Sequence, residues 1–338
     1  MARSSTVFTD LDFDRPGKQT GYINIPHSPH DDAWGATRIP LCIIKNGEGP
    51  TAILMGGNHG DEYEGPIALG EIIRDLDPAS ISGRLIILPA LNLPAVMAGL
   101  RTSPVDGLNL NRTFPGNPVG SITEQITAYL SDYIFPLGDA MLDLHSGGSS
   151  LNILPSAIVQ PAPTQEHQRR NIDAVLAFDA PLTVVIDNLG EPRTSTAASV
   201  RAGLTTVGTE MAGAGTVSKE ALDICRRGVR NVLAHLGILP AASASERRHG
   251  ERPILKIPGP NGYVFATAEG VFEAEHELGT MVRAGDVAGR IHFLHQPWRQ
   301  PETLHYNADG MVYGRRQPGR VTLGNCCVVV AAPYEGEF

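Results

Sequence analysis

Between Arg38 and Leu239 the apolar positions fall into two alternating patterns, short continuous runs and longer stretches with helical spacing. The runs Thr51–Met55, Arg84–Leu88, Ala140–Leu144, Thr183–Ile186 and Leu204–Val207 predict strands. Leu69, Ile72, Ile73 and Leu76 mark one face of a first helix, and Ile126, Tyr129, Leu130 and Tyr133 mark a second, prefaced by Ser121 and Glu124 as a capping box. Leu222, Cys225, Val229, Leu233 and Leu236 mark a third behind a cap at Ser218. The alternation predicts an α/β fold, a largely parallel sheet flanked by helices. The rhythm stops at Pro240–Arg252, which lacks large apolar residues and reads as a linker. The chain thus divides into an α/β unit, residues 1–245, and a smaller unit, residues 246–338. In the latter, Gly-spaced runs such as Gly262–Phe265, Val287–Phe293 and Cys326–Ala331 predict an all-β barrel or sandwich.

Composition narrows the function. Lys plus Arg number 27 against 36 Asp plus Glu, a net charge of −9, so no basic groove for nucleic acid is expected. The uncharged stretch Leu85–Leu100 is shorter than the roughly 20 residues of a membrane span and is broken by Pro89, Asn92 and Pro94. Met1–Gly21 has no apolar core of a secretion signal, so no membrane partner and a cytoplasmic location are expected. The four cysteines, Cys42, Cys225, Cys326 and Cys327, show no Cys-x-x-Cys spacing and read as buried or incidental thiols.

The chemistry concentrates at predicted strand ends. Gly56-Gly57-Asn58-His59-Gly60-Asp61-Glu62 follows the run ending at Met55, and ligands in open α/β sheets bind beyond the carboxyl ends of strands. His59 and Glu62, three apart, have the spacing of two metal ligands. His145, at the end of Leu142-Asp143-Leu144-His145 and before a Gly-rich loop, supplies a third, completing the His₂Glu set of a catalytic zinc. Asp143 either orients a ligand histidine or serves as a turn partner. Between the ligands runs a Pro-, Gly- and Asn-rich loop, Arg101–Gly116. There Arg112 with Asn111 could hold a substrate carboxylate, or Arg112 could simply pair with Asp106. Arg101 could bind the same carboxylate or a developing oxyanion. Glu210, past the run at Leu204, is either the proton shuttle of a hydrolase or a solvated loop glutamate.

Gly-x-His-Gly-x-Glu, Asn-Arg-x-Phe-Pro-Gly, Asp-Leu-His and a late Glu occur in that order, and the chain resembles the succinylglutamate desuccinylase/aspartoacylase family, relatives of the zinc carboxypeptidases. The resemblance covers essentially the whole chain. It implies a carboxypeptidase-like mixed α/β sheet with a β-rich C-terminal domain and one Zn²⁺ per subunit on His59, Glu62 and His145. It further implies substrate contacts from Asn111 and Arg112, with Arg101 as the arginine that precedes them, and Glu210 as general base and acid. Asn109 and the Pro-Val-Asp-Gly insertion look like the bacterial deacylase branch rather than aspartoacylase. Within that branch the chain looks most like enzymes that remove acetate from the α-nitrogen of a small cationic amino acid, with Nα-acetyl-L-2,4-diaminobutyrate of ectoine catabolism as the implied substrate. Asp187 and Glu191 are candidates to meet its side-chain ammonium. Other deacylases of succinylglutamate or acetylaspartate type, a zinc carboxypeptidase and a small-molecule binding protein are the competing readings. A biotinyl or lipoyl carrier is disfavoured, since Lys18, Lys45, Lys219 and Lys256 offer no attachment site. A homodimer is the default for an enzyme of this size.

Overall fold

The computed structural model describes residues 5–246 and 254–336. Its main sheet begins with a long hairpin, β1 (Gly17–Pro26) and β2 (Ala36–Asn46), followed by β3 (Thr51–Gly56), β4 (Gly83–Leu88) and β5 (Ala140–His145). Then come the short β6 (Leu151–Ile153), β7 (Ser156–Val159), β8 (Leu182–Val185) and β9 (Thr205–Glu210). The spatial order starts β1-β2-β4-β3-β5-β9-β7-β8. Strands β4, β3, β5 and β9 are mutually parallel, whereas β1, β2 and the β9–β7 pair are antiparallel, so the sheet is mixed.

Every residue of β3 and of β5 is buried, because both faces of these strands are covered. Alternate residues serve opposite cores. Leu54, Leu142 and Val207 join helices α1 (Glu64–Asp75), α4 (Gln165–Phe178) and α6 (Lys219–His235), while Ile53, Met55 and Met141 join the face covered by α3 (Ile122–Tyr129). Two shorter helices, α2 (Leu93–Ala98) and α5 (Ser195–Arg201), lie in the connections at the carboxyl ends of the strands. The second expected helix departs from regularity. Its α-helical part ends at Tyr129, and Leu130–Ile134 widens into a π turn before Pro136, which has no N–H to continue the ladder. At its start the Ser121 N–H donates to Glu124 (2.9 Å), and Asp106 takes the Thr123 N–H (2.8 Å).

Residues 254–336 form one short 3₁₀ turn, Gly259–Gly262, and nine strands. These are β10 (Ile254–Lys256), β11 (Tyr263–Phe265), β12 (Gly270–Ala274), β13 (Met281–Val282), β14 (Val287–His292), β15 (Glu302–His305), β16 (Gly310–Arg316), β17 (Arg320–Val321) and β18 (Cys326–Pro333). Strands β15, β14, β12 and β17 form a separate antiparallel sheet. The others continue the main sheet. β10 pairs in parallel with β8 and antiparallel with β18, and β16 pairs with β6. A core of Ile153, Val184, Leu255, Tyr313 and Val329 spans the junction. Of the expected linker, 240–246 holds a short 3₁₀ turn and folds back on α6 through Ser245 N–H to Asn231 Oδ1 (2.9 Å), while 247–252 lies outside the described residues. Cys42, Cys225 and Cys327 are buried, Cys326 is half-buried, and all four are free thiols. Among the described residues no helix is long and apolar enough to cross a membrane.

Candidate metal centre and active site

The turn from β3 into α1 is built by glycines where side chains cannot go. Gly57 has φ +67°, and a Cβ on Gly60 would lie 2.0 Å from the Ala95 carbonyl carbon. The backbone therefore passes close under α2, and Asn58, His59, Asp61 and Glu62 all point into a buried space. His145, the last residue of the neighbouring strand β5, meets them there.

His59 Nδ1 lies 2.7 Å from one Glu62 oxygen and His145 Nδ1 lies 2.8 Å from the other. One donor atom from each of the three residues falls within 4.8 Å of the other two. The outer nitrogens have their own acceptors. His59 Nε2–H donates to Asn109 Oδ1 (3.2 Å) and His145 Nε2–H to Asp143 Oδ2 (2.9 Å). With those protons on Nε2, each Nδ1 lone pair faces a carboxylate oxygen. The contact needs a cation between the two acceptors, either a proton on each Nδ1 or a metal ion shared by all three groups. Two imidazole nitrogens and one carboxylate, each histidine held from behind by an oxygen, fit a catalytic zinc ion.

Asp143 is wholly buried and accepts three hydrogen bonds on Oδ2, from His145, from Asn58 Nδ2 (3.0 Å) and, in a short contact, from Ser195 Oγ. Burial disfavours its ionised form, yet His145 and these donors hold it below the usual aspartate range. Glu62 is likewise held low, against burial, by His59 and His145.

Glu210 is the last residue of β9 rather than part of a loop, and its register partner across the sheet is His145. Its Oε2 is buried without a protein partner, and burial together with the charge of Glu62 pushes the carboxyl up to about 8. Glu210, the three metal-ligand candidates, Arg101, Asn111 and Arg112 all line one cavity of about 260 Å³. Arg101 reaches Glu62 at 3.4 Å. Arg112 does not pair with Asp106, which is spent on Thr123; its Nη1 donates to the Asn111 carbonyl (2.7 Å), and its Nε is 4.0 Å from Glu191. Asn111 Oδ1 accepts the Ser195 N–H (2.8 Å), leaving its Nδ2 as the end available to the cavity. Asp187 and Glu191 are not among the cavity-lining residues. Asp187 closes the turn at Asn188, which does line the cavity, and Glu191 makes a two-point contact with Arg193 (both 2.8 Å).

Sequence reasoning passed over Asn58, Asn109 as a histidine partner, Ser195, and the wall Leu151, Ile153, Ile158 and Ile186. Asn58 and Asn109 adjoin the motifs and could have been found there. Ser195 reads only as the start of a helix, and the isoleucines read only as strand.

A family model described as the succinylglutamate desuccinylase/aspartoacylase catalytic domain matches residues 48–236. N-alpha-acetyl-L-2,4-diaminobutyric acid deacetylase from Halomonas elongata is 39% identical over 98% of this chain and 97% of its own length. A product-bound structure of the ectoine utilization protein EutE (DoeB) from Ruegeria pomeroyi superposes with a TM-score of 0.93 at 38% identity, covering 98% of this chain and all of that one. A succinylglutamate desuccinylase/aspartoacylase structure from Rhodobacter sphaeroides gives 0.90 at 38% identity, with the same coverage. The chain belongs to the succinylglutamate desuccinylase/aspartoacylase family.

Proposed function

We propose that this chain hydrolyses the amide of an Nα-acetyl amino acid, Nα-acetyl-L-2,4-diaminobutyrate, giving acetate and L-2,4-diaminobutyrate in ectoine degradation. The reaction is placed in the cytoplasm, with one zinc ion per chain on His59, Glu62 and His145. The observation that carries the reading is the convergence of those three side chains beside an unpartnered, high-pKa Glu210 in one cavity. Zinc bound there supplies a Lewis acid for the acetyl carbonyl and lowers the pKa of water. Glu210 takes the proton of the attacking water and returns it to the departing amine, a task suited to a carboxyl whose pKa lies near neutrality. Asn111 Nδ2 and Arg112 hold the α-carboxylate, and Arg101 faces the developing oxyanion.

Charge argues against a second carboxylate on the substrate. Besides the two histidines of the metal set, the basic groups among the described residues lining the cavity are Arg101 and Arg112, and Leu151, Ile153, Ile158 and Ile186 give it an apolar lining. With one arginine on the α-carboxylate and the other on the oxyanion, no cation is left for a second carboxylate. An aspartyl side chain or a succinyl group would be buried without a partner, which is costly. The name of the Halomonas elongata relative and the ectoine utilization title of the Ruegeria pomeroyi structure support the same substrate.

The test is a panel of Nα-acetyl-L-2,4-diaminobutyrate, N-acetylaspartate and N-succinylglutamate with zinc-loaded protein, reading the free carboxylate released. Turnover of the first far above the other two is expected. Preference for either dicarboxylate would refute the charge argument.

A further inference from the structure

Ser195 touches both halves of the site, from a segment that belongs to neither. It is wholly buried. Its N–H donates to Asn111 Oδ1 (2.8 Å), and its Oγ makes a short hydrogen bond to Asp143 Oδ2 while lying 3.1 Å from the same Asn111 oxygen. A hydroxyl has one proton to give. Asp143 Oδ2 already takes the His145 Nε2–H and the Asn58 amide, so it acts as an ionised acceptor and is the stronger claimant for that proton. The two groups of Ser195 are thereby divided: the hydroxyl serves Asp143, and the backbone N–H serves Asn111.

We propose that Ser195 is a positioning residue that acts at two points, steering the metal-ligand His145 through Asp143 with its hydroxyl and fixing the amide of the carboxylate-binding Asn111 with its N–H. Without the hydroxyl, Asp143 is held on one side only, by Asn58, and His145 loses part of what sets its tautomer and ring plane. Without the N–H, the Asn111 amide is free to rotate and offer an acceptor to the substrate carboxylate. The inference rests on the metal and carboxylate roles proposed above.

Two variants separate the arms. Ser195→Ala removes the hydroxyl and keeps the N–H, so the zinc dissociation constant, read by chelator competition, should rise about tenfold, within the range typical of lost ligand partners. The KM for Nα-acetyl-L-2,4-diaminobutyrate should stay within about twofold, with the loss confined to kcat. Ser195→Pro removes the N–H as well. The first position of a helix tolerates proline, and Thr194 already has the extended backbone that proline requires before it. For that variant the KM should rise about tenfold or more beyond Ser195→Ala. A purely packing role would lower the melting temperature without moving zinc affinity, and that result for Ser195→Ala overturns the inference. If Ser195→Pro does not fold, the zinc affinity and KM of Ser195→Ala decide. Wild-type protein that binds no zinc would overturn the functional reading, and this inference with it; wild-type binding with unchanged affinity in Ser195→Ala overturns the inference alone.

Discussion

Glu62 and Glu210 line one cavity and are perturbed in opposite directions. Two imidazoles hold Glu62 low against its burial, while burial and the charge of Glu62 lift Glu210 to about 8. Environment thus separates two like side chains, favouring the ionised form of one and the neutral form of the other. Glu210→Gln is expected to lower kcat by about 10² to 10⁴ while zinc content, read by elemental analysis, stays at one per chain. His145→Ala should do the reverse first, lowering bound zinc. Near wild-type turnover in the glutamine variant would remove Glu210 from its role, and full occupancy in the alanine variant would remove His145 from the ligand set. These residues were legible as candidates in the sequence because each stands at or beyond the end of an apolar run, two positions from a glycine. Ser195 was not, because its partners Asn111 and Asp143 lie 84 and 52 residues away and nothing local marks the contact.

Helices α4 and α6 pack against the same sheet face, and their contact depends on one missing side chain. A Cβ at Gly228 would lie 2.2 to 2.4 Å from the Phe178 ring. Overpacking costs about 1 to 3 kcal/mol or more, against a helix-propensity gain of about 1 kcal/mol for Ala over Gly. Gly228→Ala should therefore lower the urea midpoint, and a raised midpoint would contradict this packing. A second link joins α6 to α1. Arg226 binds both oxygens of Glu71 (2.7 and 2.5 Å), and that hydrogen bonding holds the Glu71 carboxyl below its ordinary value. A carboxyl with a depressed folded pKa stabilises above its unfolded pKa of about 4.3 and loses that contribution as pH falls through the folded value. The pair is partly exposed, so its worth is at most about 1 kcal/mol. Wild type should exceed Glu71→Gln by that margin at pH 7, and the gap should close below about pH 3; a gap that widens in acid would reverse the sign. The long-periodic helices and the buried runs were readable at this scale. Helix α4 was not, since its first half, Gln165 to Asn171, has no apolar position and only its second half is apolar, too short a run to show helical spacing. The π turn after Tyr129 has no signal other than Pro136.

At the scale of the whole molecule, the C-terminal β region is joined to the catalytic sheet by hydrogen bonds. Strand β10 bridges β8 and β18, and β16 holds β6, whose Leu151 and Ile153 form part of the cavity wall. Tyr313 of β16 also reaches back to Ser156 of β7 (2.5 Å). The apolar wall that disfavours a second carboxylate therefore depends on residues more than 150 positions later in the chain. Strands of two or three residues, such as β6, β10 and β13, leave no periodicity from which their pairing could be read. The most direct measurement is acetate release by chelator-stripped protein as zinc is titrated back, with Nα-acetyl-L-2,4-diaminobutyrate and its Nγ-acetyl isomer in parallel. Activity on the Nα compound that rises to a plateau at one zinc per chain, with the isomer silent, is the predicted result. Full activity in the stripped protein, or equal turnover of both isomers, would contradict it.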